Sequence, residues 1–332
     1  MENRLGNTEE NVLSPMRKDV KKDYAISILR LVSTVCIVLC HFFQYYDIDL
    51  AWRFNMGVQI FLLISGFLYG CTYEHFTVEK VWKNIKKIFV PYLIFIAFAL
   101  VLHCIFNFGA LSFKRVTKQI FLLYFLPGLG HLWYVPLILF LYAVTPFLAF
   151  FKKKIAEKNA WLSIIYKVVF IGVLLMVNMR YFSAFEYCWT FCYLVGFLFA
   201  ENFKKPNVPF LALFILLAVG AVLLQYAVFV RGWTVYNEES RAFTAVLLFG
   251  VAYTLLRLIP FKADVPLLNM TDTYSYHVYL CHQIFILGPI SLLALTPLVG
   301  VNILLAIVAI AALVVATVLV EKGIEKLFEL LK

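Results

Sequence analysis

Residues 299–320 read VGVNILLAIVAIAALVVATVLV, a run without a single charged side chain. A helix needs about 20 apolar residues to cross the ~30 Å hydrocarbon core of a bilayer. Similar stretches precede this one along the whole chain. Because lipid offers the backbone no hydrogen bonds, each crossing must be a helix or part of a closed barrel. The stretches are continuously apolar and too long for barrel strands, which predicts an all-α, polytopic transmembrane helical bundle.

The composition excludes a soluble globular protein. Of the 332 residues, 63% are hydrophobic and 14% are charged, whereas globular domains are about half apolar and a quarter charged. The net charge of +10 does not require a nucleic-acid partner, because lysine and arginine collect in the cytoplasmic loops of membrane proteins. The cysteines lie mostly within apolar runs, which favours small buried hydrophobes over a metal site or a disulfide framework.

The chain divides into a polar N-terminal tail over residues 1–23, a transmembrane domain over 24–320 and an amphipathic C-terminal tail over 321–332. The tail is expected to be a short helix lying on the inner membrane face. We predict about ten crossings, at 24–45, 54–73, 88–107, 132–150, 162–179, 186–200, 208–230, 242–260, 267–290 and 299–320. Both termini then lie on one side.

Charge sets the predicted orientation. Most of the 29 lysines and arginines fall on the side of the N-terminus, so we place both termini in the cytoplasm and the protein in the cell membrane. The apolar run 120–126 lies on the opposite side. It is too short to span the bilayer, and we expect a re-entrant or interfacial segment there.

Two ionisable residues, Arg30 and His41, lie in the first predicted crossing. Eleven residues at about 100° each return to within ~20° of the starting direction, so the two side chains share one helix face, about 16 Å apart. Ionisable residues in membrane helices normally face the protein interior and mark functional sites. Alternatively, Arg30 extends to the inner surface and His41 lies at the outer interface. A neutral imidazole can accept a hydroxyl proton, and a guanidinium can bind phosphate through two hydrogen bonds.

A series of short motifs follows this pair along the chain. In order they are GVQIF over 57–61, SGFL over 65–68, Lys83-x-x-Lys86, PY at 91–92, HLWY over 131–134, YSYHVYLCH over 274–282 and Glu321-Lys322. With Arg30-x10-His41 at its start, this order resembles the acyltransferase-3 membrane family over residues 24–322. The resemblance implies transfer of an acyl group, usually acetyl, from acyl-CoA to a hydroxyl of a capsular or other cell-envelope polysaccharide or its lipid-linked precursor.

The resemblance also implies roles for individual residues. His41 would be the catalytic base or a transient acyl carrier, with Arg30 acting beside it and holding the donor. The family's basic pair is usually Arg-x-x-Arg; here Lys83 and Lys86 stand in these positions, with Lys87 adjacent. Lysine still binds phosphate but lacks the bidentate fork of arginine. These lysines could hold the phosphates of cytosolic acetyl-CoA, or they could simply set the membrane topology.

Small and aromatic side chains indicate where the acyl chain and the sugar would lie. Ser65 and the neighbouring Gly66 and Gly70 could line an acyl channel, although small residues also permit close packing of helices. Trp133 and Tyr134 could stack on a sugar or an adenine ring. The alternative is that these two residues belong to the aromatic belt at a membrane interface.

A polar stripe on the ninth predicted crossing carries Ser275, Tyr279 and His282, which share one face by their i, i+4, i+7 spacing. The stripe could line the reaction cavity, with Tyr279 and His282 contacting substrate, or it could form hydrogen bonds between helices. Glu186, at a predicted outer helix end, could orient His41 or contact the acceptor. Acidic residues in such positions are also commonly solvated.

Two other classes of function suit such a bundle. A transporter or flippase of envelope glycan intermediates would also contain polar residues within the membrane, but transporters often consist of two related halves with broken helices, and the sequence shows no internal symmetry. A non-catalytic scaffold would leave Arg30 and His41 unexplained. The resemblance to the acyltransferase-3 family implies a membrane O-acetyltransferase that uses acetyl-CoA as co-substrate, and we predict no metal.

Overall fold

The computed structural model describes residues 23–75, 77–183, 185–260 and 265–331. These residues form helices and loops without any strand, so the predicted all-α bundle is confirmed. The predicted N-terminal tail lies outside the described residues apart from Asp23. The α-helices are α1 Tyr24–Tyr45, α2 Ala51–Phe54, α3 Met56–Gly70, α4 Val78–Phe106, α5 Phe113–Ile120, α6 Tyr134–Ala156, α7 Ala160–Tyr181, α8 Tyr187–Leu198, α9 Ala200–Lys204, α10 Val208–Phe229, α11 Asn237–Arg257, α12 Pro266–Cys281 and α13 Val299–Leu330.

Within the described ranges, 8 helical stretches are long and apolar enough to cross a membrane. They coincide with all the predicted crossings except the sixth and the ninth. These two correspond to α8, with 12 residues, and α12, with 16 residues. At 1.5 Å per residue they extend only about 18 Å and 24 Å.

The ninth crossing is shorter than predicted at its C-terminal end. We expected it to continue to residue 290, but α12 ends at Cys281. A 3-10 turn and an irregular segment follow. Gly288 adopts a left-handed backbone with a φ of 96°, and the proline that follows it lacks an N–H group, so neither residue favours a continued helix. The missing helical turns leave room for a loop beside the end of α12.

The amphipathic C-terminal tail is helical, but it does not form the separate short helix that we expected. Instead α13 continues through it without a break and contains 32 residues. At about 48 Å, this helix is longer than the ~30 Å hydrocarbon core. Leu327, Phe328 and Leu331 of the tail are exposed. The tail therefore projects as an extension of the last helix.

Glycines bring α3 and α8 into backbone contact. A Cβ atom added to Gly66 would overlap the carbonyl oxygen of Tyr193, and one added to Gly196 would overlap that of Leu63. Gly70 meets α8 in the same way one turn further along. For Gly66 and Gly70, the structure supports the packing interpretation. This contact forms the centre of the bundle, beside which α1 and α11 pack.

Replacing Gly66 with valine is expected to destabilise the bundle by about 3 kcal/mol, because the backbone of α8 cannot move away without losing its other contacts. The matched control is Gly172→Val in α7, where a Cβ would meet no atom within 4 Å. Thermal unfolding in detergent should show a clear loss for the first variant and almost none for the second. Equal unfolding temperatures for the two variants would contradict the packing described here.

Candidate active site

The first helix places Arg30 and His41 against the same neighbouring segment. Arg30 Nη1 lies 2.5 Å from Asp272 Oδ1 in α12. The ring centroid of His41 lies 5.0 Å from that of His282, the residue directly after α12. Since α1 is unbroken between the two positions, the predicted shared face is confirmed. The two side chains mark opposite ends of a stretch about 16 Å long.

Three histidines from distant parts of the chain converge at the C-terminal end of α1. The ring centroids of His41 and His131 are 6.5 Å apart, and those of His131 and His282 are 4.8 Å apart. His131 is 4% exposed and His282 is 0% exposed. We call His41, His131 and His282 the histidine cluster.

Backbone carbonyl groups fix the protonation pattern of the two buried rings. His131 Nε2 lies 3.0 Å from the carbonyl oxygen of Leu280. His282 Nδ1 lies 2.6 Å from the carbonyl oxygen of Tyr279. A carbonyl oxygen can only accept, so these nitrogens carry the ring protons. In the neutral rings, Nδ1 of His131 and Nε2 of His282 then carry lone pairs.

His41 completes a set of three acceptors. Its Nδ1 lies 2.6 Å from Gln44 Oε1, so Nδ1–H donates and Nε2 carries the lone pair. The corresponding atoms of His131 and His282 are buried without a hydrogen-bond partner among the described residues. Buried acceptors in proteins normally have a donor. The cluster therefore suits a ligand that brings O–H groups.

The loop before His131 is held against the end of α12. The backbone N–H of His131 donates to Gln283 Oε1 at 2.7 Å, and the hydroxyl of Tyr279 donates to the His131 carbonyl oxygen. Gly128 and Gly288 pack directly together: a Cβ on Gly288 would lie 2.7 Å from the Gly128 Cα. Both glycines have positive φ angles, which larger residues adopt only with strain. This packing positions both buried imidazoles.

The run 120–126 leads into this loop as a folded, non-helical segment. α5 ends at Ile120, and the side-chain oxygen of the buried Gln119 accepts from the backbone N–H of Leu126 at 2.8 Å. The backbone carbonyl oxygen of Gln119 accepts from the hydroxyl of Tyr92. Leu126 and Leu129 are fully buried. The segment is thus anchored to α4 and the core.

The Arg30 end of the site is an ion pair within the bundle. Besides Arg30, Asp272 accepts from the hydroxyl of Ser27 at 2.7 Å. The Arg30 side chain keeps 17% of its surface exposed. Such a pair satisfies two ionisable groups that would be costly alone in a membrane. The remaining N–H groups of Arg30 are available to a phosphate oxygen.

The lysines that we predict to bind the acyl donor lie at about the same depth in the bundle as this ion pair. Lys83, Lys86 and Lys87 are exposed in the first turns of α4. The hydroxyl of Tyr276 donates to the Ile88 carbonyl oxygen at 2.9 Å, which places these two residues side by side. Asp272 of the ion pair lies one helical turn before Tyr276 in α12. In α4 the three lysines precede Ile88 by at most five residues, or about 8 Å along the helix axis. The lysines therefore lie at a depth in the bundle similar to that of the Arg30 end.

Of the predicted aromatic contacts, Tyr134 and Tyr279 lie beside the histidine cluster, whereas Trp133 stacks elsewhere. The ring centroids of Tyr134 and Tyr279 are 5.1 Å apart, and Tyr279 lies 5.3 Å from His131. Trp133 stacks on Trp189 of α8, with 3.5 Å between the ring centroids. One face of Trp133 is thus already covered by the protein.

The structure does not bring Ser65 or Glu186 into contact with the cluster. The hydroxyl of Ser65 donates to the carbonyl oxygen of Phe61 within α3, at 3.0 Å. Glu186 is partly exposed directly before α8. In the described part of the chain it forms no hydrogen bond or ion pair with His41. The substrate contacts of both residues stay predictions.

The predicted polar stripe of α12 is divided between different surroundings. Tyr279 lies beside the histidine cluster and His282 is part of it. Ser275 instead lines an apolar groove of about 610 Å³ between α1, α12 and α13. On another face of α12, His277 Nε2 lies 2.8 Å from Glu321 Oε2 of α13. The two C-terminal motifs are thus joined by a side-chain contact.

Comparison with known families decides the class of protein. A family model described as an acyltransferase domain matches residues 23–321. The chain belongs to the acyltransferase-3 family. The matched range contains Arg30 and the whole histidine cluster, and the resemblance predicted from the order of the motifs is confirmed. No curated protein and no solved structure matches the chain.

Sequence reasoning missed two residues of this candidate site. His131 was present in a motif but was not a candidate site residue, and Asp272 received no role. For each residue, the sequence contains a feature that could have identified it. His131 is a further histidine beside an apolar crossing, and Asp272 is an isolated acid in a crossing that needs a basic partner such as Arg30.

Proposed function

We propose that this acyltransferase moves an acetyl group from cytosolic acetyl-CoA to a hydroxyl of a cell-envelope or capsular polysaccharide or its lipid-linked precursor. The observation that carries the proposal is the histidine cluster, with its three ring acceptors at one end of α1. An alcohol is the acceptor that such a set favours, because its O–H group can donate to them. Membership of an acyltransferase family favours this function over a transporter.

The donor would lie along α1. Its phosphates would bind Arg30 together with Lys83, Lys86 and Lys87, on the side that we predict to be cytoplasmic. The extended pantetheine arm can cover the distance of about 16 Å to His41. The arm would thread between the helices from Arg30 to His41. This arrangement lets a cytosolic donor acylate an acceptor at the opposite end of the bundle.

In the first of two routes, His41 is the general base. Its Nε2 takes the proton of the acceptor hydroxyl while the oxygen attacks the thioester carbon. The tetrahedral intermediate collapses, the C–S bond breaks, and the coenzyme A thiolate receives the proton from His41. The products are the O-acetyl ester and free coenzyme A. His131 and His282 would accept hydrogen bonds from neighbouring hydroxyls of the sugar and orient it.

In the second route, His41 carries the acetyl group. Nε2 attacks the thioester carbon and the C–S bond breaks, which gives an acylated imidazolium that keeps its Nδ1 proton, while the leaving coenzyme A thiolate takes up a proton from water. The acceptor oxygen then attacks the acyl carbon and the C–N bond breaks, which restores the imidazole while the hydroxyl proton is released. Both routes need the Nε2 lone pair that the Nδ1–Gln44 contact provides.

The purified protein, supplied with acetyl-CoA labelled in the acetyl group, is expected to transfer the label to the polysaccharide of its own host and to release coenzyme A in equal amount. NMR of the product should show new O-acetyl ester signals. Counterflow of a glycan precursor without transfer of label would instead support a flippase and refute the proposed reaction. Intact-mass measurement without acceptor separates the two routes, because only the carrier route leaves an acetyl group on His41.

A further inference from the structure

A polar cavity of about 330 Å³ lies far from the histidine cluster in sequence, between the end of α6, the start of α7, α9 and the start of α10. Its lining includes three lysines, one glutamate, an asparagine and a serine: Lys152, Lys158, Lys167, Glu201, Asn202 and Ser163. No role is assigned to this cavity by the proposed reaction. Its positive charge within a membrane bundle requires an explanation.

Lys152 has a structural role. It is 3% exposed, and its Nζ donates to the carbonyl oxygens of Gly70 and Phe197, each at 2.8 Å. Its third partner is Glu201 Oε2 at 2.7 Å. An ammonium group has three N–H donors, so all of them are used. Lys152 thereby closes the C-terminal ends of two helices and is neutralised by Glu201.

Lys167 is in a different position. It is 7% exposed and lies about 10 Å from the start of α7. Among the described residues its Nζ has one hydrogen-bond partner, Asn202 Oδ1 at 2.8 Å. The Phe199 ring also lies 5.2 Å from Nζ, but within the described part of the chain two N–H donors have no hydrogen-bond acceptor, and Glu201 pairs with Lys152 instead. A buried ammonium group in this state is costly unless an anion accompanies it.

The cavity opens at the end of the bundle where α1 begins. The hydroxyl of Tyr253 donates to Asp23 Oδ2 at 2.9 Å, and Arg257 Nη1 donates to the carbonyl oxygen of Lys204 at 3.0 Å. These contacts place the start of α1, the end of α11 and α9 together. In the predicted orientation this is the cytoplasmic end, where phosphorylated solutes and anionic lipid headgroups are both present.

We propose that this cavity binds a phosphate group, with Lys167 as the innermost ligand and the exposed Lys158 at the mouth. A phosphate oxygen accepts from the two remaining N–H groups of Lys167, and a phosphate balances the excess positive charge of the lining. Asn202 and the hydroxyl of Ser163 supply neutral polar contacts. The phosphate belongs either to an anionic phospholipid or to a soluble cytosolic compound. The proposal does not depend on the acyl-transfer reaction.

The test measures thermal unfolding of the purified full chain with three probes: inorganic phosphate, coenzyme A, and nanodiscs of phosphatidylcholine with or without phosphatidylglycerol. At least one phosphate-bearing probe is expected to raise the unfolding temperature of the wild type. Lys167→Met should weaken the apparent affinity by roughly tenfold to a hundredfold, the loss expected for hydrogen bonds to a charged group. The matched control, Lys153→Met, removes an exposed lysine of α6 outside the cavity and should respond like the wild type.

The pattern of responses also identifies the source of the phosphate. A Lys167-dependent response to coenzyme A indicates a soluble ligand, and one to phosphatidylglycerol indicates a lipid. If no probe stabilises the wild type, or if Lys167→Met responds like the wild type, the proposal is overturned. If Lys167→Met does not fold, Lys158→Glu at the exposed mouth decides: unchanged affinity in that variant overturns the proposal as well.

Discussion

The His41→Gln variant is expected to lose acyl transfer by about 10²–10⁴-fold, the contribution of a positioned acid–base group. Glutamine has a similar length and polarity but no imidazole lone pair, so it can neither take the acceptor proton nor carry the acetyl group. Insertion in the membrane should be unchanged, because His41 contacts Gln44 on its own helix. The loss is measured as transfer of labelled acetyl from acetyl-CoA and as O-acetyl signals in the NMR spectrum of the polysaccharide.

The buried His103, which lies outside the histidine cluster, provides the matched control. His103 lies in α4 and pairs with Asn107 one turn away, outside the histidine cluster. His103→Gln is therefore expected to keep most of the activity. Full O-acetylation by His41→Gln, or an equal loss in both variants, would show that His41 does not perform the chemistry.

Breaking the ion pair between Arg30 and Asp272 should have the second large effect, a loss of stability. Arg30→Ala takes the guanidinium group away from the partly buried Asp272 carboxylate, and a loss of about 2–3 kcal/mol of stability is expected. Asp272→Ala should cost a similar amount. In the double variant both members of the ion pair are absent, so its loss should be smaller than the sum of the two single losses. Unfolding in detergent measures all three variants, with Ser27→Ala as a mild control that removes only a hydrogen bond.

The same variants separate donor binding from stability. Because Arg30 is proposed to hold a donor phosphate as well, Arg30→Ala and the double variant should raise the KM for acetyl-CoA by roughly tenfold. Asp272→Ala keeps the guanidinium and should raise the KM less. If Asp272→Ala raised the KM and Arg30→Ala did not, Arg30 would not be a ligand of the donor.

Local periodicity predicted the features of this protein that one helix determines. The shared face of Arg30 and His41 follows from helical geometry alone, and the structure agrees because α1 is continuous. The early end of α12 was also readable in principle, since Gly288 and Pro289 both interrupt helices. We instead extended the crossing to residue 290 because its apolar character continues beyond them.

Contacts between distant segments could not be predicted in this way. His131 joins His41 and His282 only because two glycine-containing loops pack together, and nothing in a single helix period encodes that contact. The sequence likewise places Lys152 among the loop lysines that set topology. In the structure it is buried and bonded to the ends of two helices. The order of the motifs in the sequence indicated the family, whereas the partner of each residue became visible only in the three-dimensional structure.

The most direct test of the central claim is a structure of the protein with a non-hydrolysable acetyl-CoA analogue. We predict that the phosphates lie at the Arg30 end and that the carbonyl carbon of the acetyl group lies about 3–3.5 Å from His41 Nε2, the range for reacting atoms. A donor bound with its acetyl group at the Arg30 end, or outside the bundle, would contradict the account.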